Sequence, residues 1–156
     1  VTVSYYHYSI REGNIDPKAS LTDFIEMFNS GAIDDFGTWS NHVLSWLNQD
    51  DVPVLLVRYE DLQENAADEL IRILEFTGIE PEPEAVASAV EASSFENMRE
   101  QEKKDRTRVD RLKGKGDSSK LFMRKGKKGD WKSYLSKQER RKFCRIHKRA
   151  IKHLDY

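Results

Sequence analysis

Asp51-Val-Pro-Val-Leu-Leu-Val-Arg-Tyr-Glu-Asp-Leu62 is the stretch on which the fold class turns. Five apolar residues lie between Val52 and Val57, interrupted by Pro53, and they do not alternate with polar ones. A strand covered on one face alternates, whereas an unbroken apolar run suits a strand buried on both faces of a parallel sheet. Pro53 stands near the start of the run, where no ladder N–H is lost. Tyr59-Glu-Asp-Leu62 follows the carboxyl end of that strand, the side on which open α/β sheets bind ligands. Taken alone, Tyr59 there suits the edge of a core. No other stretch reads as firmly as a strand, so the expected class is α/β, mostly helical within this chain.

Working outward, the helices announce themselves by period and by caps. Asn65 is placed to cap a helix running to Thr77, with Ala66, Leu70, Ile73 and Leu74 inward and Gly78 as its C′ residue. Pro81 and Pro83 reset the chain before a short helix over Ala85 to Glu91, and Ser94 stands as the N-cap of another turn. Upstream, Ser20-Leu-Thr-Asp23 has the shape of a capping box, with Asp in the place usually held by Glu. Leu21, Phe24, Ile25 and Phe28 follow at helical spacing, and Gly31 lies beyond the end. In a second helix from Gly37 to Leu47, Trp39, Val43, Trp46 and Leu47 share one side, and His42 shares a face with Trp39 and Trp46. A lone histidine there suits a satisfied, partly buried residue, and it has no second ligand for a metal. Ser136 to Leu154 reads as one basic amphipathic helix with Phe143, Ile146, Ala150 and Leu154 inward. Cys144 and His147 lie off the centre of that stripe, with no partner to make either reactive. Val1 to Ile10 favours a strand on propensity.

Composition narrows the class. With 156 residues the chain suits one domain. Its hydrophobic content is 38% and its charged content 34%, with a net charge of −1 and one cysteine, Cys144. No apolar run approaches the roughly 20 residues of a membrane span. The single cysteine excludes an internal disulfide framework, and no Asn-x-Ser/Thr acceptor occurs, so the expected address is cytoplasmic with no membrane partner. The charge is polarised along the chain. From Glu60 to Ala92 ten acidic residues face Arg72 alone, and from Arg99 to Lys132 fourteen Lys and Arg face six Asp and Glu. Such polarity marks a face that meets an anion, or a solvated tail. Residues 100–120, with Gly114 and Gly116, read as a mobile loop or lid.

The anion-binding chemistry concentrates in Leu121-Phe-Met-Arg-Lys-Gly-Lys-Lys-Gly-Asp-Trp-Lys-Ser-Tyr-Leu135. Cations beside glycine suit a phosphate: the side chains bring charge, and the missing Cβ lets backbone N–H groups come close. Spacing alone leaves a basic surface loop equally open.

Phe122-Met-Arg-Lys-Gly126, then Gly129-Asp-Trp-Lys132, resembles the phosphate-binding motif of the cytosolic sulfotransferases, which use 3′-phosphoadenosine-5′-phosphosulfate. The resemblance runs along essentially the whole chain. It implies that Arg124, Lys125 and Gly126 grip the 3′-phosphate of that nucleotide, preceded by the family's Phe122-Met123. Val1-Thr-Val-Ser-Tyr-Tyr-His7 resembles a helical family segment, which overrides the strand propensity and makes Ser4 a donor to the same phosphate. Alone, Ser4 reads as a small helix-packing residue. Tyr59-Glu-Asp-Leu62 matches a segment whose tyrosine reaches the adenine. Ser93-Ser-Phe-Glu-Asn-Met98 resembles Thr-Ser-Phe-x-x-Met, implying that Ser93, Phe95 and Met98 border the base, with Ser93 in place of the usual threonine. Gly37-x-Trp39-x-x-His42 lies near the family's acceptor pocket, so Trp39 and His42 become substrate candidates.

The implied fold is part of a P-loop-kinase-like parallel sheet flanked by helices, with residues 1–156 as the carboxyl-terminal portion of one domain. The implied activity is sulfuryl transfer to a hydroxyl or amine of a small-molecule acceptor. The family's Tyr-Pro-Lys-Ser-Gly-type phosphate loop, catalytic histidine and sulfate-binding lysines find no match here. The chain is therefore expected to need an amino-terminal half as partner and to be inactive alone; a split or degenerate protein is the other reading. The family's homodimer motif is broken too, because Arg141 stands where a Glu is expected. Two rivals remain: a non-catalytic nucleotide-binding module, and a polyanion binder using Lys103 to Lys132. The second lacks the interleaved aromatics of nucleic-acid binders.

Overall fold

The computed structural model describes residues 1–105 and 121–156. In chain order the helices are α1 (Thr2–Arg11), α2 (Leu21–Ser30), α3 (Trp39–Leu47), α4 (Tyr59–Glu64), α5 (Ala66–Phe76), α6 (Pro83–Ala92) and α7 (Phe95–Lys104). A 3-10 turn at Asp130–Ser133 precedes α8 (Lys137–Ile146) and α9 (Lys148–His153). No helix among the described residues is long and apolar enough to cross a membrane.

The expected sheet is absent among the described residues. Val52 to Val57 carries no ladder, and its Val52, Val54 and Leu56 are exposed. The physical reason is that a strand exists only against a neighbour that completes its hydrogen bonds. The apolar run is present, but no described segment pairs with it.

The chain divides into two compact units, residues 1–54 with 129–156, and residues 55–128. In the first, α1 forms against its strand propensity because tertiary contacts reward the helix. Val3 and Ile10, two turns apart, are both buried. Tyr5 and Tyr6 meet Phe24 edge-on, with ring centroids 5.7 and 5.5 Å away. The Tyr5 hydroxyl donates to Asp34 at 2.8 Å. Burial, and then that carboxylate, push its phenol up to about 12. In α2 the Ser20 hydroxyl oxygen accepts from the Asp23 N–H at 3.1 Å and donates to the Asp23 carboxylate at 2.7 Å. Asp23 is too short to reach back to the backbone, so it answers through the hydroxyl. Gly31 ends the helix at φ 75°, where a Cβ would come within 2.6 Å of the Gly37 and Thr38 backbone. Val3, Ile25 and Leu135 form the buried centre, with Leu21 and Tyr134 against it. Burying Phe24 and Ile25 stabilises the unit by about 1.5–3 kcal/mol each.

The basic carboxyl-terminal segment departs from its expected form. Ser136 and Glu139 make a reciprocal capping box that starts α8. The helix then breaks at His147 (φ −97°, ψ 16°) before α9. His147 is fully buried, and Ile146 is 41% exposed, so the histidine takes the inward place predicted for its neighbour. In α3, likewise, Trp46 faces solvent and Ser40 is the buried residue.

In the second unit α5 closes as predicted: Gly78 has φ 76° and the Ile79 N–H reaches the Leu74 carbonyl at 2.9 Å. Asn65 precedes the helix, but its side chain makes no capping bond. The nearly buried Glu69 carboxylate accepts from Arg72 at 2.6 and 2.5 Å. Ser94 caps α7 through the Asn97 N–H at 3.3 Å. Helix α7 continues to Lys104, so residues 100–104 of the expected loop are helical. Residues 106–120 of that segment lie outside the described residues.

Candidate functional site

The loop from Leu121 to Lys128 is built from tight backbone contacts. The Arg124 N–H returns to the Phe122 carbonyl at 2.8 Å, a three-residue turn centred on Met123. Glu102, near the end of α7, accepts from the Phe122 and Met123 N–H groups at 2.6 and 2.8 Å. One carboxylate thus holds two successive amides and anchors the start of the loop. Gly126 has φ 61°, a conformation that L side chains resist. A Cβ there would lie 2.4–2.9 Å from ring atoms of Phe95, so the backbone passes directly over that ring. Only glycine satisfies both demands. The Arg99 guanidinium stands 5.9 Å from the Phe95 centroid, adding a cation to the same aromatic.

Helix α4 ties this loop to Tyr59. The Gln63 Nε2 donates to the Gly126 carbonyl at 2.5 Å and to the Tyr59 hydroxyl at 2.9 Å. The Lys128 N–H donates to Gln63 Oε1 at 3.2 Å, and the Lys128 ammonium pairs with Glu64. Tyr59, Phe95 and Gly126 are therefore joined within the second unit, and Arg124 and Lys125 are the two residues preceding Gly126 in the same turn.

The other candidates fare differently. Ser93, at the end of α6, turns its hydroxyl onto its own helix, donating to the Ala89 carbonyl at 2.6 Å. Met98 and Phe122 are exposed, Met98 lying about one turn along α7 from Phe95. Ser4, Trp39 and His42 belong to the first unit. Ser4 is exposed on α1. Trp39 is half-buried, 5.4 Å and edge-on to His147 and 5.9 Å from Phe143. His42 is exposed beside Phe36, with ring centroids 5.4 Å apart.

Sequence reasoning missed Gln63, Glu102 and the partners of His147. Gln63 had a weak signal, since it lies four residues beyond Tyr59 on the same helical face. Glu102 had none, because its partners are twenty residues away in sequence. His147 does have partners: its Nδ1 lies 2.7 Å from the Ser40 hydroxyl and its Nε2 3.1 Å from Asn29 Oδ1. The Ser-His-Asn grouping imitates a nucleophilic triad. Yet Phe28, Trp39 and Phe143 surround the imidazole, and it is sealed from solvent. Burial holds its pKa below the ordinary histidine value. This network serves packing and carries no catalysis.

Known proteins resemble this chain along most of its length. The sulfotransferase domain matches residues 1–155. Sulfotransferase 1B1 of Canis lupus familiaris is 32% identical over 153 residues, covering 97% of this chain and 51% of that protein. Sulfotransferase 1E1 of Homo sapiens is 30% identical over 154 residues, covering 97% and 51%. The chain thus spans about half the length of the curated relatives it matches. Among solved structures, mouse sulfotransferase SULT7A1 complexed with PAP aligns at a TM-score of 0.75 and 26% identity, covering 96% of this chain and 54% of the other. Retinol dehydratase with androsterone and PAP aligns at 0.78 and 24%, covering 97% and 44%, a likeness of fold. The chain belongs to the sulfotransferase domain family.

Proposed function

We propose that this chain forms the nucleotide-gripping part of a sulfotransferase that moves a sulfuryl group from 3′-phosphoadenosine-5′-phosphosulfate to a hydroxyl or amine of a small-molecule acceptor. Arg124, Lys125 and Gly126 hold the 3′-phosphate, with Ser4 as a further donor. Tyr59, Ser93, Phe95, Met98, Phe122 and Met123 border the adenosine, and Trp39 and His42 belong to the acceptor side. Phe95 stacks on the base, a contact worth roughly 1–3 kcal/mol by analogy with other base–aromatic pairs. The observation that carries this reading is the seating of Gly126, φ 61°, on the Phe95 ring beside two cations. That contact supports placing a phosphate grip beside an aromatic platform.

The residues present suit the ligand in charge, with one adjustment. The Ser93 hydroxyl must swing away from the Ala89 carbonyl before it can meet a base. When bound, the donor supplies the sulfuryl group, which leaves its bridging phosphate oxygen for the acceptor oxygen or nitrogen. Binding the remote nucleotide positions that group and breaks no bond. No histidine of this chain is proposed as base: His147 is sealed in packing, and His42 is a substrate-side candidate. Val52 to Val57 is proposed to enter a parallel sheet in the full domain, which would cover the apolar side chains now exposed.

Calorimetry with adenosine 3′,5′-bisphosphate tests the reading. Arg124→Ala and Lys125→Ala should each weaken binding by about tenfold to a hundredfold, the range of a charge-assisted contact. Unchanged affinity in both would remove the loop from the phosphate site. Binding that ignores the bisphosphate but collapses with salt would instead favour the polyanion reading.

A further inference from the structure

The chemistry at Gln63 asks for a primary amide and nothing else. A carbonyl only accepts and a backbone N–H only donates. The Gly126 carbonyl at 2.5 Å therefore requires Nε2, and the Lys128 N–H at 3.2 Å requires Oε1. The second hydrogen of Nε2 serves the Tyr59 hydroxyl at 2.9 Å. One exposed side chain so fixes the loop on both sides of Lys127 and joins it to an aromatic ring one helical turn earlier. The Glu64–Lys128 ion pair seconds the hold from the next residue of α4. At the loop's other end Glu102 secures Phe122 and Met123, and Gln63 joins the turn to Tyr59.

We propose that Gln63 is a positioning residue: its carboxamide sets the spacing between the Arg124-Lys125-Gly126 turn and the Tyr59 ring, and so between the 3′-phosphate grip and the adenine contact. The inference rests on the nucleotide reading above and adds a residue outside every matched motif. Glutamate at this position keeps an acceptor for Lys128 but aims an anion at the Gly126 carbonyl. Lysine keeps a donor and loses the acceptor. Alanine loses all three links. None of these should unfold the unit, because the side chain is solvent-exposed.

The test uses the complete protein with Gln63→Ala and Gln63→Glu. Thermal melting should be unchanged in both. Without nucleotide, the Lys128 amide should exchange about tenfold faster in Gln63→Ala and stay protected in Gln63→Glu, which retains the acceptor. Affinity for adenosine 3′,5′-bisphosphate should fall about tenfold in both variants, and affinity for adenosine 5′-monophosphate much less. A merely structural role would lower melting and weaken both nucleotides alike. Unaltered bisphosphate affinity in both variants, with the wild-type protein binding, overturns the role of Gln63 and leaves the function standing. A complete wild-type protein that fails to bind the bisphosphate overturns the function, and this role with it, whatever the exchange data show.

Discussion

Two hydrogen-bond networks, one in each unit, use the same device in opposite surroundings. In the first unit His147 offers two ring nitrogens to Ser40 and Asn29, sealed from water. In the second, Gln63 offers a nitrogen and an oxygen to Gly126, Tyr59 and Lys128 at the surface. Water competes for every bond of the second network and for none of the first. A buried polar group that loses its partner bears the full desolvation penalty, whereas an exposed one rehydrates. The buried network therefore governs whether the unit folds, and the exposed one governs where a loop lies.

The contrast can be broken most forcefully at its buried end. His147→Ala should cost about 3–4 kcal/mol in chemical denaturation, from the cavity and from the partners it strands. A loss no larger than that of an exposed substitution would show that the site is wet. Next in size, Gly126→Ala forces a side chain into the left-handed region and against the Phe95 ring. It should cost about 1–2 kcal/mol, lowering the melting temperature by a few degrees, and should weaken bisphosphate binding as well. A bisphosphate affinity that survives would show that the ring and the turn are independent.

The pH dependence sharpens the same comparison. Burial lowers the pKa of His147, so the folded state favours the neutral ring and binds fewer protons than the unfolded chain. Its contribution is complete above the ordinary histidine value of 6.5 and is lost as pH falls below it toward the depressed value. The slope should reach at most about 1.4 kcal/mol per pH unit and should vanish in His147→Gln. A variant with the wild-type slope would assign it to other groups. Smallest, Ser136→Ala should cost about 1 kcal/mol by opening the capping box of α8, measured by urea denaturation. No change would mean that the helix start is held by packing alone.

What the sequence disclosed followed the range of each interaction. Caps and turn glycines are local: Ser20, Ser94, Gly31 and Gly78 were read where they act. The Arg124-Lys125-Gly126 turn stands out because cations beside glycine suit a phosphate, and only its resemblance to a family motif makes it the proposed grip. The first ten residues mislead on propensity, since the contacts of Tyr5 and Tyr6 with Phe24 come from another helix. His147 was misplaced because periodicity assumes an unbroken helix, and the break after Ile146 turns the histidine inward. Gln63 and Glu102 stayed hidden because their partners lie 63 and 20 residues on, in a loop whose course no period reports. Val52 to Val57 shows the reverse, a strand signal with no described neighbour to complete it.

The most direct measurement is phosphorus NMR of adenosine 3′,5′-bisphosphate bound to the complete protein and to its Arg124→Ala variant across a pH titration. Two cations at the 3′-phosphate should lower the midpoint of that resonance from the usual value near about 6, and Arg124→Ala should restore part of the shift while leaving the 5′-phosphate unmoved. A 3′ resonance that titrates as it does free in water, or an Arg124→Ala variant that alters only the 5′-phosphate, would contradict the assignment of this loop.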